Sequence, residues 1–542
     1  MTATVIDAGD GLPLAIPALL RARVATQEGS VLLACDDDVL TYADAERRSA
    51  VLARGLLAAG AGPGTHVGIL HPNGSAFVVA WLAAARIGAV TVPLSTFSTG
   101  AELRALLRNA DVALLLAASC YRSHDYIAAL RGAVPELDLG VAPPLFADSM
   151  PVLRRIALAD PGEAVDPGWS LRALEESGRS IDRGVLEAAE VAVSPGDRLA
   201  IVHTSGSSGE PKGVIHTHGA LIRHIDNLNQ IRRYTPGEVL FSNSPFFWIG
   251  GLAYSLLGTL VAGARLVCSN SPHAARVLDV LERERPTMVN GFAQSVAHLP
   301  RDPSFASRDL SSIRRGNLFP ILPDGVRPEH PDLRHAMLGM TETGSVCLTS
   351  EDESDQPEHR RGSFGRPAPG FEVAVVDPDT GAACGPRELG ELRLRGPFVM
   401  EGYCGRERHE VFDAEGWYQT GDLVAVDEDG FFYFEGRRSD LIKTSGASVS
   451  PREVEAAIED LTGLVAHVIG IPDDDRGQVV AAAVRVPADC ALDIDEVRDL
   501  LAKRLSSYKV PRRFLLLSDD AVPVLPSGKL DRPALEARFL AR

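Results

Sequence analysis

The sequence predicts an α/β protein: a large N-terminal region of α/β subdomains plus a distorted β-barrel, then a small α+β C-terminal domain. Three observations carry this. First, strand and helix patterns alternate through the first half, the signature of a parallel or mixed sheet covered by helices. Thr41-Tyr42-Ala43-Asp44 resembles a capping box that opens an amphipathic helix ending at Gly60. Residues 67–70 read as a buried strand, Asn73 starts a helix that runs through Ala85, and 90–94, 112–116 and 265–268 read as further strands. Second, from about Gly362 to Gly402 the chain turns to short β-rich pieces with Gly and Pro turns. These are FEVAVVD, GELRLRGP and, after Asp429-Gly430, GFFYFEG. Third, a short polar break at 436–440 precedes Ser450-Pro451-Arg452-Glu453, a capping box with proline at the first helical position. Val454, Ala457, Ile458 and Leu461 then share one helical face. The division is expected near Ser439, giving domains 1–438 and 439–542. No fixed-period repeat and no low-complexity tract is present.

Composition narrows the function classes. With 45% hydrophobic and 23% charged residues the chain has the make-up of a globular protein. A net charge of -18 argues against a nucleic-acid backbone as partner, though not against a small anionic ligand met by a local basic cluster. Seven widely spaced cysteines without a CxxC indicate neither a disulfide framework nor a zinc site. The segment MTATVIDAGDGLP lacks a basic stretch followed by an apolar one, and the apolar runs are too short for a transmembrane segment. The cytoplasm is the expected compartment.

The chemistry starts at TSGSSGEPKG, residues 204–213. Its lysine comes as Pro-Lys-Gly, which excludes the nucleoside-triphosphatase loop ending Gly-Lys-Ser/Thr. Thr204, Ser205, Ser207 and Ser208 offer hydroxyls, Gly206 and Gly209 allow close backbone approach to an anion, and Lys212 adds a charge. Taken alone, such a loop reads equally as a solvated surface turn. Its companions change the balance: Gly339-Met340-Thr341-Glu342, Thr420-Gly421-Asp422, Gly436-Arg437 and Pro526-Ser527-Gly528-Lys529. A hydroxyl beside a carboxylate can hold a phosphate oxygen and its Mg2+ together. Asp422 can accept the hydroxyls of a ribose, and the Arg437 fork can reach ribose or phosphate. Singly, each cluster has a bland reading as a turn, a surface ion pair or a tail lysine.

Together, TSGSSGEPKG, GMTE, GELRLRGPFVMEGY, YQTGDL, GRRSDLIKTSGASVSPREVE, SSYKVP and LPSGKLDR resemble the adenylate-forming superfamily. That superfamily includes acyl-CoA synthetases, beetle luciferases and the adenylation domains of peptide synthetases. The resemblance implies ATP and Mg2+ as cofactors, with the loop on the β- and γ-phosphates while a carboxylate attacks the α-phosphorus. It implies Lys529 on the carboxylate and α-phosphate, Thr341 on the AMP phosphate beside Gly339 and Met340, Glu342 on Mg2+, and Asp422 with Arg437 on the ribose. It further implies a mobile C-terminal domain that pivots at Ser439, where many relatives carry Asp or Lys. The pivot would present a second face with Lys443, Gly446, Ser448 and Val449 to the pantetheine arm of coenzyme A. Lys503, Arg504, Lys509, Arg512 and Arg513 either meet the phosphates of coenzyme A or form a solvated face. Leu338 stands where relatives place an adenine-stacking aromatic. His203 reads as a strand-end side chain and His218 as a support of the phosphate loop.

The acid pocket is expected around residues 244–251. Trp248 occupies the position where amino-acid-activating relatives carry an aspartate, so a free α-amino acid is disfavoured: its buried ammonium would have no partner. Phe247, Trp248, Gly250, Phe292, Leu318 and Met340 are expected to shape an apolar wall, unless they are ordinary core. The acid is then an apolar carboxylic acid: fatty, aromatic or alicyclic. Coenzyme A is the expected acceptor, since GMTE and TGDL leave little room for the extra segment by which fatty-acyl-AMP ligases restrict domain movement, and no carrier domain follows Arg542. Transfer to a carrier protein or an amine is the alternative, and a homodimer is compatible with the reading. A catalytically inactive nucleotide-binding regulator is disfavoured by the intact Lys529, Glu342 and Asp422.

Overall fold

The structure, a computed structural model, describes residues 11–205, 211–444, 447–473, 476–487, 492–505, 509–525 and 529–541. The chain divides into two compact units, Met1–Glu372 with Arg395–Tyr418, and Val373–Leu394 with Gln419–Arg542.

The first unit is built on two mixed sheets, because its apolar runs form strands buried on both faces. One has seven strands in the order Gly402–Tyr403, Pro211–Thr217, Arg198–Ser205, Val90–Pro93, His66–Leu70, Leu114–Ala118 and Arg155–Ala159. Pairing is parallel from Arg155–Ala159 to Arg198–Ser205 and antiparallel beyond it. The other has six strands, Arg315–Gly316, Met288–Asn290, Val239–Ser242, Arg265–Cys268, Val31–Cys35 and Asp38–Thr41. The helix Ser75–Arg86 packs on strands of both sheets and is buried on every side, as its unbroken apolar composition requires. Its one charged residue, Arg86, is held by Glu190, Ser49 and Glu46. Thr41 caps the helix Tyr42–Ala58 by accepting from the Asp44 amide.

Local competition moves one boundary. The helix expected from Asn73 starts at Ser75, since the Asn73 side chain is engaged with Ser244 and Phe246 while Asp38 accepts from the Ser75 amide. Among the described residues the β-rich segments form two sheets, Leu338–Met340 with Ser345–Thr349 and Arg366–Pro367, and Glu372–Val376 with Gly390–Arg395, Tyr418–Val426 and Phe432–Arg437.

In the second unit the strand Gly477–Arg485 pairs along its length with Ala466–Asp473 and Arg513–Leu517. Its alternation sends Val480, Ala482 and Val484 into one core, with Val454, Ile458 and Leu501. Val479, Ala481 and Ala483 enter a second core, with Leu535 and Phe539. Pro451 stands at the first position of the helix Pro451–Thr462, but Ser450 does not close a capping box. Its hydroxyl donates to the Glu435 carbonyl instead. No helix among the described residues is long and apolar enough to cross a membrane.

Four histidines are buried in the first unit and a fifth, His203, is half-buried. Burial pushes His71, His203, His216 and His218 from their ordinary value of 6.5 down to about 4, and His224 down to about 3. The fold therefore keeps them neutral where the unfolded chain binds protons. Their contribution is complete above the unfolded value and is lost as pH falls toward the folded one. Each is expected to remove up to roughly 1.4 kcal/mol of stability per pH unit in that window. Urea unfolding from about pH 7 to about pH 5, above most carboxylate titration, checks this, and a flat stability profile would contradict it.

Candidate active site

Two antiparallel strands flank the phosphate-loop sequence. Arg198–Ser205 pairs with Pro211–Thr217 in a register that sets Thr204 opposite Lys212 and Ser205 opposite Pro211. Gly206, Ser207, Ser208 and Gly209, and the Ser205 side chain, lie outside the described residues. The Lys212 ammonium stands 5.3 Å from the centre of the Tyr403 ring, which the adjoining strand Gly402–Tyr403 supplies.

Thr341 and Glu342 occupy a single 3-10 turn, Thr341–Thr343, between the strands Leu338–Met340 and Ser345–Thr349. Gly339 permits that pairing: a Cβ there would stand 2.7 Å from the Ser345 carbonyl oxygen. Gly344, at φ +68°, turns the chain back. Three residues from elsewhere fix the turn. His216 Nε2 lies 2.7 Å from the Thr341 carbonyl oxygen, the Met400 amide donates to the Glu342 carbonyl at 2.8 Å, and the Tyr403 hydroxyl donates to Glu342 Oε1 at 2.7 Å. His216 is neutral and its buried Nδ1 has no partner, so its proton sits on Nε2 and is donated to Thr341. Tyr403 meets Tyr418 at 2.9 Å between hydroxyl oxygens, and burial next to Glu342 and Tyr418 pushes its pKa up, keeping it a donor. Met340 packs against the cluster of Val214, Met400 and Tyr403.

The Glu342 geometry fits Mg2+. One carboxylate oxygen is oriented by Tyr403, and the other has no protein hydrogen bond among the described residues. No group of three His, Cys, Asp or Glu side chains suited to a metal occurs among them. Mg2+ takes one or two carboxylates and completes its shell with phosphates and water, so a single oriented carboxylate is a donor of the right kind.

In the second unit, register brings Asp422 of Tyr418–Val426 directly opposite Arg437 of Phe432–Arg437. Arg437 Nε lies 2.7 Å from Asp422 Oδ1, and only 2% of the Asp422 side chain is accessible. The Asp422 amide donates to Thr420 Oγ1, whose hydroxyl donates to the Leu392 carbonyl. Lys529 is exposed in a small hairpin where its carbonyl accepts from the Leu525 amide and the Asp531 amide bonds Pro523. Pro526, Ser527 and Gly528 lie outside the described residues. Ser439 lies in the turn Arg438–Asp440, whose arginine meets Asp379 and whose aspartate meets Arg532.

Lys443 and Ser448 are register partners across the strands Ile442–Thr444 and Ala447–Val449; Gly446 and both side chains lie outside the described residues. Val449 does not belong to an acceptor face. It is fully buried in the core with Val454 and Ile458, the place an aliphatic strand residue takes when its side of the sheet is covered. Of the basic residues, Lys509 is paired with Glu453, whereas Lys503, Arg504, Arg512 and Arg513 are exposed.

Phe97, Phe247, Trp248 and Phe292 form an edge-to-face series with ring centres 5.3 to 5.6 Å apart. Gly250 opens a π-helical stretch, Gly250–Leu257, and leaves room beside it. Leu318 is not a wall residue: it has no accessible surface and packs with Phe241, Ile321 and Leu322 in the core. A cavity of about 520 Å3 lies next to this region, lined among others by Arg232, Tyr254, Asn290, Asn317, Phe319 and Met337. His203 lies at its strand end against Asn109, as expected. His218 supports a different element, accepting from the Ile16 amide at the start of the helix Ile16–Gln27. Leu338, on the strand ahead of the turn, is half-buried.

His216 and Tyr403 were not singled out by sequence. Both lie inside or beside quoted motifs, but a long-range contact leaves no periodic mark.

The family model described as AMP-binding enzyme matches residues 20–404, and that of the AMP-binding enzyme C-terminal domain matches 453–529. A feruloyl-CoA synthase of Amycolatopsis sp. is 32% identical over 513 residues, covering 92% of this chain and 94% of that protein. 4-Coumarate-CoA ligase 1 of Narcissus pseudonarcissus is 28% identical, covering 93% and 89%. The ATP-bound crystal structure of MatB from Rhodopseudomonas palustris superposes with a TM-score of 0.79 at 24% identity, covering 97% of this chain and 99% of that one, which shows the shared fold. With its two strands flanking the phosphate-loop sequence, its Thr341–Glu342 turn and its paired Asp422 and Arg437, the chain belongs to the family of AMP-binding enzymes.

Proposed function

We propose that Lys529, Thr341, Glu342, Lys212, Asp422 and Arg437 carry the two half-reactions of an ATP-dependent acid–thiol ligase. In the first, a carboxylate oxygen attacks the α-phosphorus of ATP, the bond to the bridging oxygen breaks, and pyrophosphate leaves. In the second, the thiol sulfur of coenzyme A attacks the acyl carbon and AMP leaves. One observation carries the reading: the strand Pro211–Thr217 supplies both Lys212, next to the phosphate-loop sequence, and His216, which holds the Thr341–Glu342 turn. One rigid element thus ties together the groups assigned to the phosphates and to Mg2+. Bound at Glu342, Mg2+ supplies charge neutralisation to the reacting phosphates.

The remaining roles follow from the chemistry of each side chain. Lys529 offsets the charge that accumulates as two anions meet. Thr341 donates to the AMP phosphate, and the Asp422–Arg437 pair receives the ribose. Ser439 is the pivot between domains 1–438 and 439–542. Lys443 and Ser448 serve the thiol acceptor. The acid has an apolar body, supported by the aromatic series through Phe247, Trp248 and Phe292 and by relatives named for feruloyl and 4-coumarate thioesters. The compartment is the cytoplasm, in keeping with six described cysteines that are all free.

Pyrophosphate release with fatty, aromatic and alicyclic acids, with and without coenzyme A, tests the reaction. Acid-dependent release with an acyl-CoA product is expected; release indifferent to coenzyme A would move the acceptor to a carrier protein or amine. Lys529→Ala is expected to lower adenylation at least about 100-fold while calorimetry finds ATP binding largely intact. Undiminished activity would remove Lys529 from the mechanism. Tyr403→Phe leaves Glu342 without its hydroxyl partner and is expected to raise the KM for Mg-ATP about tenfold with an unchanged circular dichroism spectrum. An unchanged KM would show that Glu342 needs no such orientation.

A further inference from the structure

Arg232 caps the C-terminus of the helix His218–Ile231 and lines the cavity of about 520 Å3. It is more than nine-tenths buried, at 8% accessibility. Its guanidinium lies over the Tyr254 ring at 4.0 Å and the Tyr234 ring at 4.8 Å. Nε and Nη2 both donate to Asn229 Oδ1, and Nη2 also donates to the Tyr254 carbonyl. Nη1 has no acceptor among the described residues. Space for the guanidinium is built in, since a Cβ on Gly258 would stand 2.3 Å from Nη2.

The other arginines of the cavity wall each have a carboxylate partner, although two of them share one. Arg314 and Arg315 pair with Glu238, and Arg334 pairs with Asp355. No carboxylate among the described residues pairs with Arg232. Asp352, also on the wall, is engaged by Ser354 and Gln356. The helix C-terminus and the two rings offset part of the cost of a buried cation, yet a charge closed off from water and lacking a counter-ion is expensive to keep in a fold. A second donor on the same wall is under-used: among the described residues the Tyr254 hydroxyl reaches the Met337 sulfur, at 3.5 Å, a weak acceptor.

We infer that Arg232, assisted by the Tyr254 hydroxyl, receives an anionic group remote from the reacting carboxylate, so that the acid is a dicarboxylate on a hydrocarbon or ring body. This rests on the ligase reading for the reaction but not for the binding. It makes Arg232 a specificity-determining residue. A nucleotide phosphate is the other source of the same anion chemistry, and the two are separable.

The test uses the full chain and matched pairs of acids, hexanoate with adipate and cinnamate with 4-carboxycinnamate. The readouts are kcat/KM by pyrophosphate release, KM for ATP, and the shift in Tm with acid alone. Wild type is expected to favour the diacid of a pair by about ten- to a hundredfold and to show a diacid-specific rise in Tm. Arg232→Met, which keeps the stacked volume, is expected to abolish both effects while leaving monoacid turnover and the KM for ATP in place. Arg232→Lys is expected to retain part of the preference. Equal use of both acids by wild type, or an equal loss on both in Arg232→Met, overturns the inference. A change confined to the KM for ATP overturns it in favour of the nucleotide. A diacid-specific Tm shift without pyrophosphate release from any acid would refute the ligase and leave the anion site standing. Release from monoacids without any diacid shift would do the reverse, and silence in both readouts overturns both. Should Arg232→Met fail to fold, wild type and Arg232→Lys decide.

Discussion

Two backbone carbonyls of half-buried residues, those of Thr341 and Glu342, constrain the site. A 3-10 turn leaves such groups outside any regular ladder, and an unpaired carbonyl away from water costs about as much as a lost hydrogen bond. Here one is closed by the His216 imidazole and the other by the Met400 amide. Both partners lie on neighbouring strands at the edge of the seven-stranded sheet or immediately before them. The turn therefore inherits the rigidity of the sheet, and with it the placement of the Glu342 carboxylate.

The same economy runs through the polar parts of the fold. His216 holds the turn as a neutral group, so the site gains an N–H donor without importing a charge. Asp422 is buried, and its charge is met across the ladder by a half-exposed Arg437. Arg86, Glu190 and Asp422 are likewise buried and matched by an opposite charge, whereas Arg232, beside a cavity, has no carboxylate partner among the described residues. A departure of this kind marks a place where the folded chain alone does not complete the chemistry.

Much of this was legible in the sequence where one local signal had no competitor. The Thr41 cap, the apolar strands of the parallel sheet and the helical face of Val454 and Ile458 follow from period and capping chemistry. Asp422 and Arg437 were readable as residue types, but their pairing depends on a register that one strand alone does not contain. Ser450 looks like a cap by spelling and serves the Glu435 carbonyl, because a tertiary acceptor outcompetes the local one. Leu318 and Val449 lie beside motif residues yet face the core. An aliphatic side chain carries no mark of which side will be covered. His216 and Tyr403 act over more than 60 residues of chain, beyond the reach of any local pattern.

The hydrogen bond between His216 and Thr341 also closes a long loop. The chain from 217 to 340, which carries Phe247, Trp248 and Phe292 of the aromatic series, the π-helical stretch and Arg232, leaves the site at one end of that bond and returns at the other. On the proposed reading, most residues assigned to the acid lie between the two halves of a clasp, and the clasp itself involves only a carbonyl and one imidazole. Altering the enclosed segment would then change what is recognised, while the residues proposed for the metal and phosphates keep the same anchors.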